Sequence, residues 1–342
     1  MKQNTRKYIV LVLVALAGVL LAVFIRVRPM LRAYAGPDTA VLLVPDRATE
    51  SQIADSLYAA TGDRAYAEGV IRAWKLLKGY PESANGRYVV EPGTPAYKLA
   101  RRLQTGRQTP VRLTFNNIRT LDQLAERVGS RMEFGPSDFL AACDSVLPAL
   151  GFRNRSEYPA AFIPDTYEFY WNTGADQVVE RLAAVRSAYW SDERRERARA
   201  LGLNPVGVAT VASIVEEETA AKDERPLVAR LYLNRLAAGM KLQADPTVKF
   251  AVGDFSLRRI TGTHLRVSSP YNTYLNEGLP PGPIRIPERA TLESVLDAPE
   301  HNYVYMCAKP DFSGRHNFAT DFASHRANAE AYRKALDARG IK

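Results

Sequence analysis

Apolar residues run without a charge from position 8 to 25, recur at helical spacing through most of the remainder, and alternate only in stretches a few residues long. The first run is close to the length needed to span a bilayer. Lys2, Arg6 and Lys7 precede it, and Arg26, Arg28, Pro29 and Arg32 close it. Ala33-Tyr34-Ala35 matches a small-x-small cleavage site, but arginines and a proline are a poor context for cleavage, so the run predicts one anchor helix.

From 37 to about 150 short strands alternate with amphipathic helices. Strands are predicted at 41–44, 86–90 and 111–115. Helices are predicted at 51–61 (Ser51 as N-cap; Ile53, Leu57 and Tyr58 on one face), 65–77, 96–104 and 120–128, the last with Leu121, Leu124 and Val128 inward. Helical content then rises, with helices at 137–150, 177–201 and 206–221, and another from Pro226 to the stop at Gly239. The run of charges at 192–199 reads as a solvated face. Residues 163–167 form a break, and 241–250, 269–274 and 276–286 read as loops rich in Pro, Gly, Asn and Tyr. A strand at 303–308, a turn at 311–314 and a final helix at 323–339 close the chain. The fold class is therefore α+β.

Composition narrows the function classes. With 342 residues, 46% of them hydrophobic, the chain can bury a substantial core and divide into two or three units. The net charge of +9 favours an anionic neighbour. The arginines, however, are scattered (Arg101-Arg102, Arg194-Arg195, Arg258-Arg259) without an aromatic-interleaved basic stripe, so no nucleic-acid partner is expected. Cys143 and Cys307 lie far apart, and none of the four histidines has a metal-like spacing, so neither metal nor cofactor is expected.

Candidate chemistry concentrates in 206–221, VGVATVASIVEEETAA. At about 100° per residue Glu218 falls on the face of Val211, Ile214 and Val215, whereas Glu217 shares its side with Thr210 and Ser213. A carboxyl in an apolar stripe has a raised pKa and suits a general acid. The alternative is a soluble helix end, which is the preferred account of Glu217, and Glu217→Gln is then expected to be nearly silent. In the later loops Tyr271 and Tyr274 offer flat surfaces suited to sugar rings, and Gln243, Asp245, Asn272 and Thr273 offer hydrogen-bonding groups, although such loops also serve as packing corners.

ASIVEEET at 212–219, LNRL at 233, LQADPTV at 242, SPYNTY at 269, GLPPGPI at 278 and the terminal HNF…SH at 316–325 together resemble the YceG-like family of endolytic murein transglycosylases. PDTY at 164 is similar to that family's preceding segment. Ala160 and Ala161 stand where the family usually has a Glu-Gly pair. The resemblance implies an anchor at 1–36, a small LysM-like α+β module at 37–130 and a mixed α+β transglycosylase domain at 131–342, with the catalytic acid at Glu218 on a helix. It implies cleavage of MurNAc-GlcNAc bonds in nascent peptidoglycan to leave 1,6-anhydro ends, terminating strand elongation beside penicillin-binding synthases. The protein would be a single-pass inner-membrane protein with its catalytic part on the periplasmic face. Gln243, Asp245, Tyr271, Asn272 and Tyr274 would hold the glycan, with Asp245 also supporting the charged transition state. Two alternatives stay open: a non-catalytic wall-binding scaffold, and a hydrolytic muramidase pairing Glu218 with Asp245, which needs its two carboxyls about 5–9 Å apart.

Overall fold

The computed structural model describes residues 2–257 and 259–340, so Arg258 of the scattered arginine pairs lies outside the described residues. The architecture is mixed α+β, with one long apolar helix at the N-terminus. Helix α1 (Lys2–Leu31) contains a candidate span, Arg6–Leu31, of 26 residues, none of it buried. At 1.5 Å per residue that stretch is about 39 Å long, enough to cross a hydrocarbon core of about 30 Å.

The chain divides into two compact units. The first contains residues up to Leu113 with Arg131–Phe134 and Glu168–Thr173. It holds β1 (Ala40–Val44), α2 (Glu50–Thr61), α3 (Arg64–Leu76), the short α4 (Pro81–Ala84), β2 (Gly86–Val90) and α5 (Ala96–Gln104). Strands β1 and β2 pair antiparallel, Leu42 opposite Tyr88. Their inward residues Leu42, Val44, Tyr88 and Val90 pack with Ile53, Leu57, Tyr66, Val70, Trp74, Leu99 and Leu103. The end of α1 is stitched into this unit by the backbone: Tyr34 N donates to Thr94 O, and Ala96 N donates to Arg32 O. Gly69 permits the approach, since a Cβ there would lie 2.2 Å from the Pro29 carbonyl oxygen. The N-cap of α2 is Thr49, in a capping box with Gln52, and not Ser51, because a Thr three residues before a Gln satisfies two end groups at once. Tyr58 is exposed rather than inward.

The second unit contains Thr114–Ser130, Gly135–Tyr167 and the chain from Gly174 onward. Of strands β3 (Val111–Phe115) and β4 (Asp165–Phe169), residues 114–115 and 165–167 lie in this unit, so the break expected at 163–167 is partly strand. Helices α6 (Leu121–Gly129) and α7 (Pro136–Val146) follow β3; Leu121 is only half-buried, and Pro148 converts the expected end of α7 into a 3-10 turn. The long helix expected at 177–201 is two: α8 (Ala175–Tyr189) and α9 (Asp192–Ala200). Ser191 caps the second by accepting from Arg194 N. The α9 face is not merely solvated, since Arg194 bonds Glu293 at 2.8 Å.

Helices α10 (Pro205–Glu218), α11 (Arg225–Ala237), α12 (Asp245–Val252) and α13 (Arg289–Leu296) form the centre of this unit. The segment expected as a loop at 241–250 is helical from Asp245, because Pro246 suits a first helical turn and Gly253 closes it in the left-handed conformation. The hairpin of β5 (Tyr305–Ala308) and β6 (His316–Ala319) carries α14 (Phe322–Ala338). Cys143 and Cys307 are both free thiols.

Candidate functional site

Helix α10 starts where Asn204 accepts from Gly207 N and Pro205 fixes the first turn. Residues 207 to 216 are all buried, so the helix has no solvent face and the expected single apolar stripe does not exist. Its neighbours explain this. Ser213, a polar residue in the interior, donates to Thr210 O and accepts from Ile284 N, which lays the segment around GLPPGPI across the helix. Gly282 permits that course, since a Cβ there would lie 1.8 Å from the Ser156 carbonyl oxygen. Ile284 and Ile286 are core residues, so this loop is a packing element as well as a source of site residues.

All three glutamates at the helix end are therefore drawn from water, and they differ in what meets them. Glu216 takes Arg285 at 3.0 Å, the Thr291 hydroxyl at 2.7 Å and Glu288 N at 2.9 Å. Glu217 takes Arg285 at 2.8 Å and Arg119 at 3.1 Å. Its side chain is 13% exposed and doubly paired, so it is not the solvated helix end that the helical wheel suggests. Arg285 comes from the GLPPGPI loop and is steadied by Asn117, whose φ of +51° is left-handed.

Among the described residues Glu218 has no such cation. Its partner is the Tyr232 hydroxyl of α11, donating to Oε1 at 2.6 Å. Burial outweighs that hydrogen bond and, with the nearby Asp245 and Glu217 charges, pushes the Glu218 carboxyl up to about 7 from an ordinary 4.5. Tyr232 is itself pushed far above its usual value, first by burial and then by Glu218, so it stays a protonated donor. The carboxyl thus sits ready to hold a proton near neutral pH, with one oxygen already engaged.

Glu218 and Asp245 both line two cavities. One, of about 360 Å³, is walled by Tyr232, Arg235, Gln243, Tyr274, Tyr305 and His325 among others. The other, of about 930 Å³, runs along α12 to the far end of α14. Asp245 opens α12 and accepts from the Tyr274 hydroxyl at 2.7 Å. Gln243, held at φ +51°, accepts from Arg235 at 2.6 Å, while Arg235 also binds the carbonyls of Lys241 and Val304. The structure thus brings together Glu218, Gln243, Asp245 and Tyr274. It does not bring Tyr271 or Asn272 to either cavity lining. Tyr271 packs on Phe250 with centroids 4.7 Å apart, and Asn272 is fully buried, donating to the carbonyls of Leu265 and Val267. Thr273 is likewise buried, against Thr247.

Sequence reasoning passed over Tyr232, Arg235, Tyr305 and His325. Arg235 lies within the LNRL stretch and Tyr232 directly precedes it, and a tyrosine among the leucines of α11 was the available signal. Tyr305 and His325, stacked with centroids 5.2 Å apart, come from elements whose proximity the sequence does not reveal.

Comparison with known proteins adds an independent line. The endolytic murein transglycosylase of Bacillus subtilis (strain 168) is 33% identical over 173 residues, 49% of this chain and 46% of that protein. That of Streptococcus pneumoniae serotype 2 is 27% identical over 288 residues, 73% of this chain and 51% of that protein. The chain spans about half the length of the curated relatives it matches. A crystal structure of a YceG-like protein from Listeria monocytogenes superposes with a TM-score of 0.57, covering 85% of this chain and 99% of that one, at 24% identity, a likeness of fold. The profile of the YceG-like family matches residues 42–331, and the chain belongs to that family.

Proposed function

We propose that the chain is a membrane-anchored endolytic lytic transglycosylase. It would cleave MurNAc-GlcNAc bonds in nascent peptidoglycan, with Glu218 as the single acid and base. The observation that carries this reading is a carboxyl raised to about 7 on the wall of an open cleft, while its two neighbours on the same helix end are matched by arginines. Protonated Glu218 gives its proton to the glycosidic oxygen as the C1–O bond of the muramyl residue breaks. The resulting carboxylate removes the proton of the muramyl C6 hydroxyl, whose oxygen closes on C1. No water enters, and the acid is regenerated. Tyr232, engaged with Oε1, leaves Oε2 to carry the proton. Asp245 supports the developing positive charge at C1, and Gln243 and Tyr274 hold the sugar beside it.

In this reading α1 anchors the chain in the inner membrane with the remainder on the periplasmic face. Residues 37–130 act as a LysM-like glycan-holding module and 131–342 as the catalytic domain. The product ends would terminate strand elongation beside penicillin-binding synthases.

The test incubates the full chain in detergent with purified sacculi and weighs the released fragments. Anhydro ends from the native protein and none from Glu218→Gln are expected. New reducing ends heavier by one water would replace this reading with hydrolysis by Glu218 and Asp245, which share both cavities. No release at all would leave a glycan-binding scaffold.

A further inference from the structure

The two cavities that meet at Glu218 and Asp245 differ in chemistry. The smaller is walled by Tyr274, Tyr305 and Phe322 together with the Gln243 amide and the His316 and His325 rings, and its Arg235 is occupied by carbonyls and Gln243. The larger carries Lys249 on α12, Arg259 on the following loop and Arg333 on α14, interspersed with Leu257, Ile260 and Leu336. Among the described residues none of these three cations forms an ion pair. Against them stand Asp337 on the same wall, Asp254 near Lys249, Glu330 near Arg333, and the floor carboxylates, of which Glu217 is already matched by Arg119 and Arg285. Its volume of about 930 Å³ lies near the top of the range of roughly 300–1,000 Å³ that ligand cavities span.

We infer that this larger cavity is a subsite for the acidic peptide branch of the substrate, making the site selective for glycan that still carries its stems. This rests on the glycan cleavage proposed above. The reacting C1 belongs to a muramyl residue, whose C3 lactyl group bears the peptide two ring atoms away. A sugar placed at Glu218 must therefore project that branch to one side of the acid. The branch is a short peptide with free carboxylates and small aliphatic side chains. Unpaired cations set among aliphatic residues match it, whereas the aromatic cavity on the other side of Glu218 matches uncharged sugar. Lys249 and Arg333 reach the cavity from different helices, so a stem would be held between α12 and α14.

The experiment compares strands that carry peptide stems with strands stripped of them by an amidase, using the native full chain and the Lys249→Gln/Arg333→Gln double variant. Melting followed by circular dichroism checks that the variant is folded. The native protein is expected to favour stem-bearing strands in kcat/KM on the order of tenfold at low salt, with the preference fading as salt screens it. In the double variant the ratio between the two substrates is expected to collapse toward one. A native ratio of one, or an undiminished ratio in the variant, overturns the subsite. If neither substrate yields anhydro ends with native protein, the cleavage reading fails by itself. The subsite is then decided by affinity for a muramyl pentapeptide against N-acetylmuramic acid. Tighter, salt-sensitive binding of the peptide that the double variant loses supports it, and equal affinity overturns it.

Discussion

Two walls meet at the last turn of α10. On one, Glu216 and Glu217 face Arg225, Arg285 and Arg119; on the other, Glu218 faces a tyrosine hydroxyl and the open cleft. All three carboxyls leave bulk water, so desolvation alone does not separate them. The difference is the supply of cations, which lets two glutamates serve the fold and leaves the third poised to exchange a proton. The largest expected effect tests that division. Glu218→Gln should lower release of anhydro ends by about a thousandfold, within the span general acid–base groups contribute, and retained activity would break it.

The same comparison sets a pH dependence. The native carboxyl titrates near 7 and the unfolded one near 4.5, so the folded state holds the extra proton between those values. The contribution of this one group to stability is therefore fully present below pH 4.5, declines as pH rises through 7, and then levels off, a loss of about 3 kcal/mol at 1.36 kcal/mol per unit. Urea titrations at pH 5 and pH 8 should show the decline in native protein and its absence in Glu218→Gln. Activity should fall about tenfold for each pH unit above 7, as the proton is lost.

On the other wall the effects are structural. Arg285→Met removes the cation shared by two carboxylates whose side chains are 3% and 13% exposed, leaving Glu217 with Arg119 and Glu216 with Arg225 and Thr291, and should cost about 3 kcal/mol in a denaturant titration. Glu217→Gln leaves Arg285 its contact with Glu216 and should cost less, about 1–3 kcal/mol. A variant as stable as native protein would restore Glu217 to the solvent-facing role suggested by helical periodicity.

That role for Glu217 marks how far the sequence could be read. Most elements were legible, because apolar period, Asn204-Pro205 and Gly239 act within a few residues, whereas α12 was hidden in a segment rich in loop-forming residues. The odd carboxyl was also legible, but on incomplete grounds: Glu218 was singled out by a stripe, whereas α10 is enclosed on every side. What separates the glutamates comes from Arg119 and Arg285, 98 and 68 residues away from Glu217 in the chain. The same limit hid Tyr305 and His325. SPYNTY illustrates the converse. Its polar and aromatic residues suggested binding, yet Asn272 spends its amide on the carbonyls of the preceding Leu265 and Val267, while Tyr274 alone of the four candidates there reaches the cleft.

The smallest expected effect sharpens the cleft wall. Tyr232→Phe removes the donor to Oε1 and little volume, so the fold should survive with its neighbours in place. A hydrogen bond to a charged carboxylate contributes about 1.5–3 kcal/mol to the ionised form, so its loss disfavours ionisation. The pH limit of activity should consequently move upward, even though the rate below that limit falls because Oε2 is less firmly aimed. Tyr274→Phe is the control: it relieves Asp245, not Glu218, and should lower affinity for the strand without moving the limit. If both variants moved it equally, the two carboxyls would be titrating as one unit, and the proton would belong to the pair rather than to Glu218.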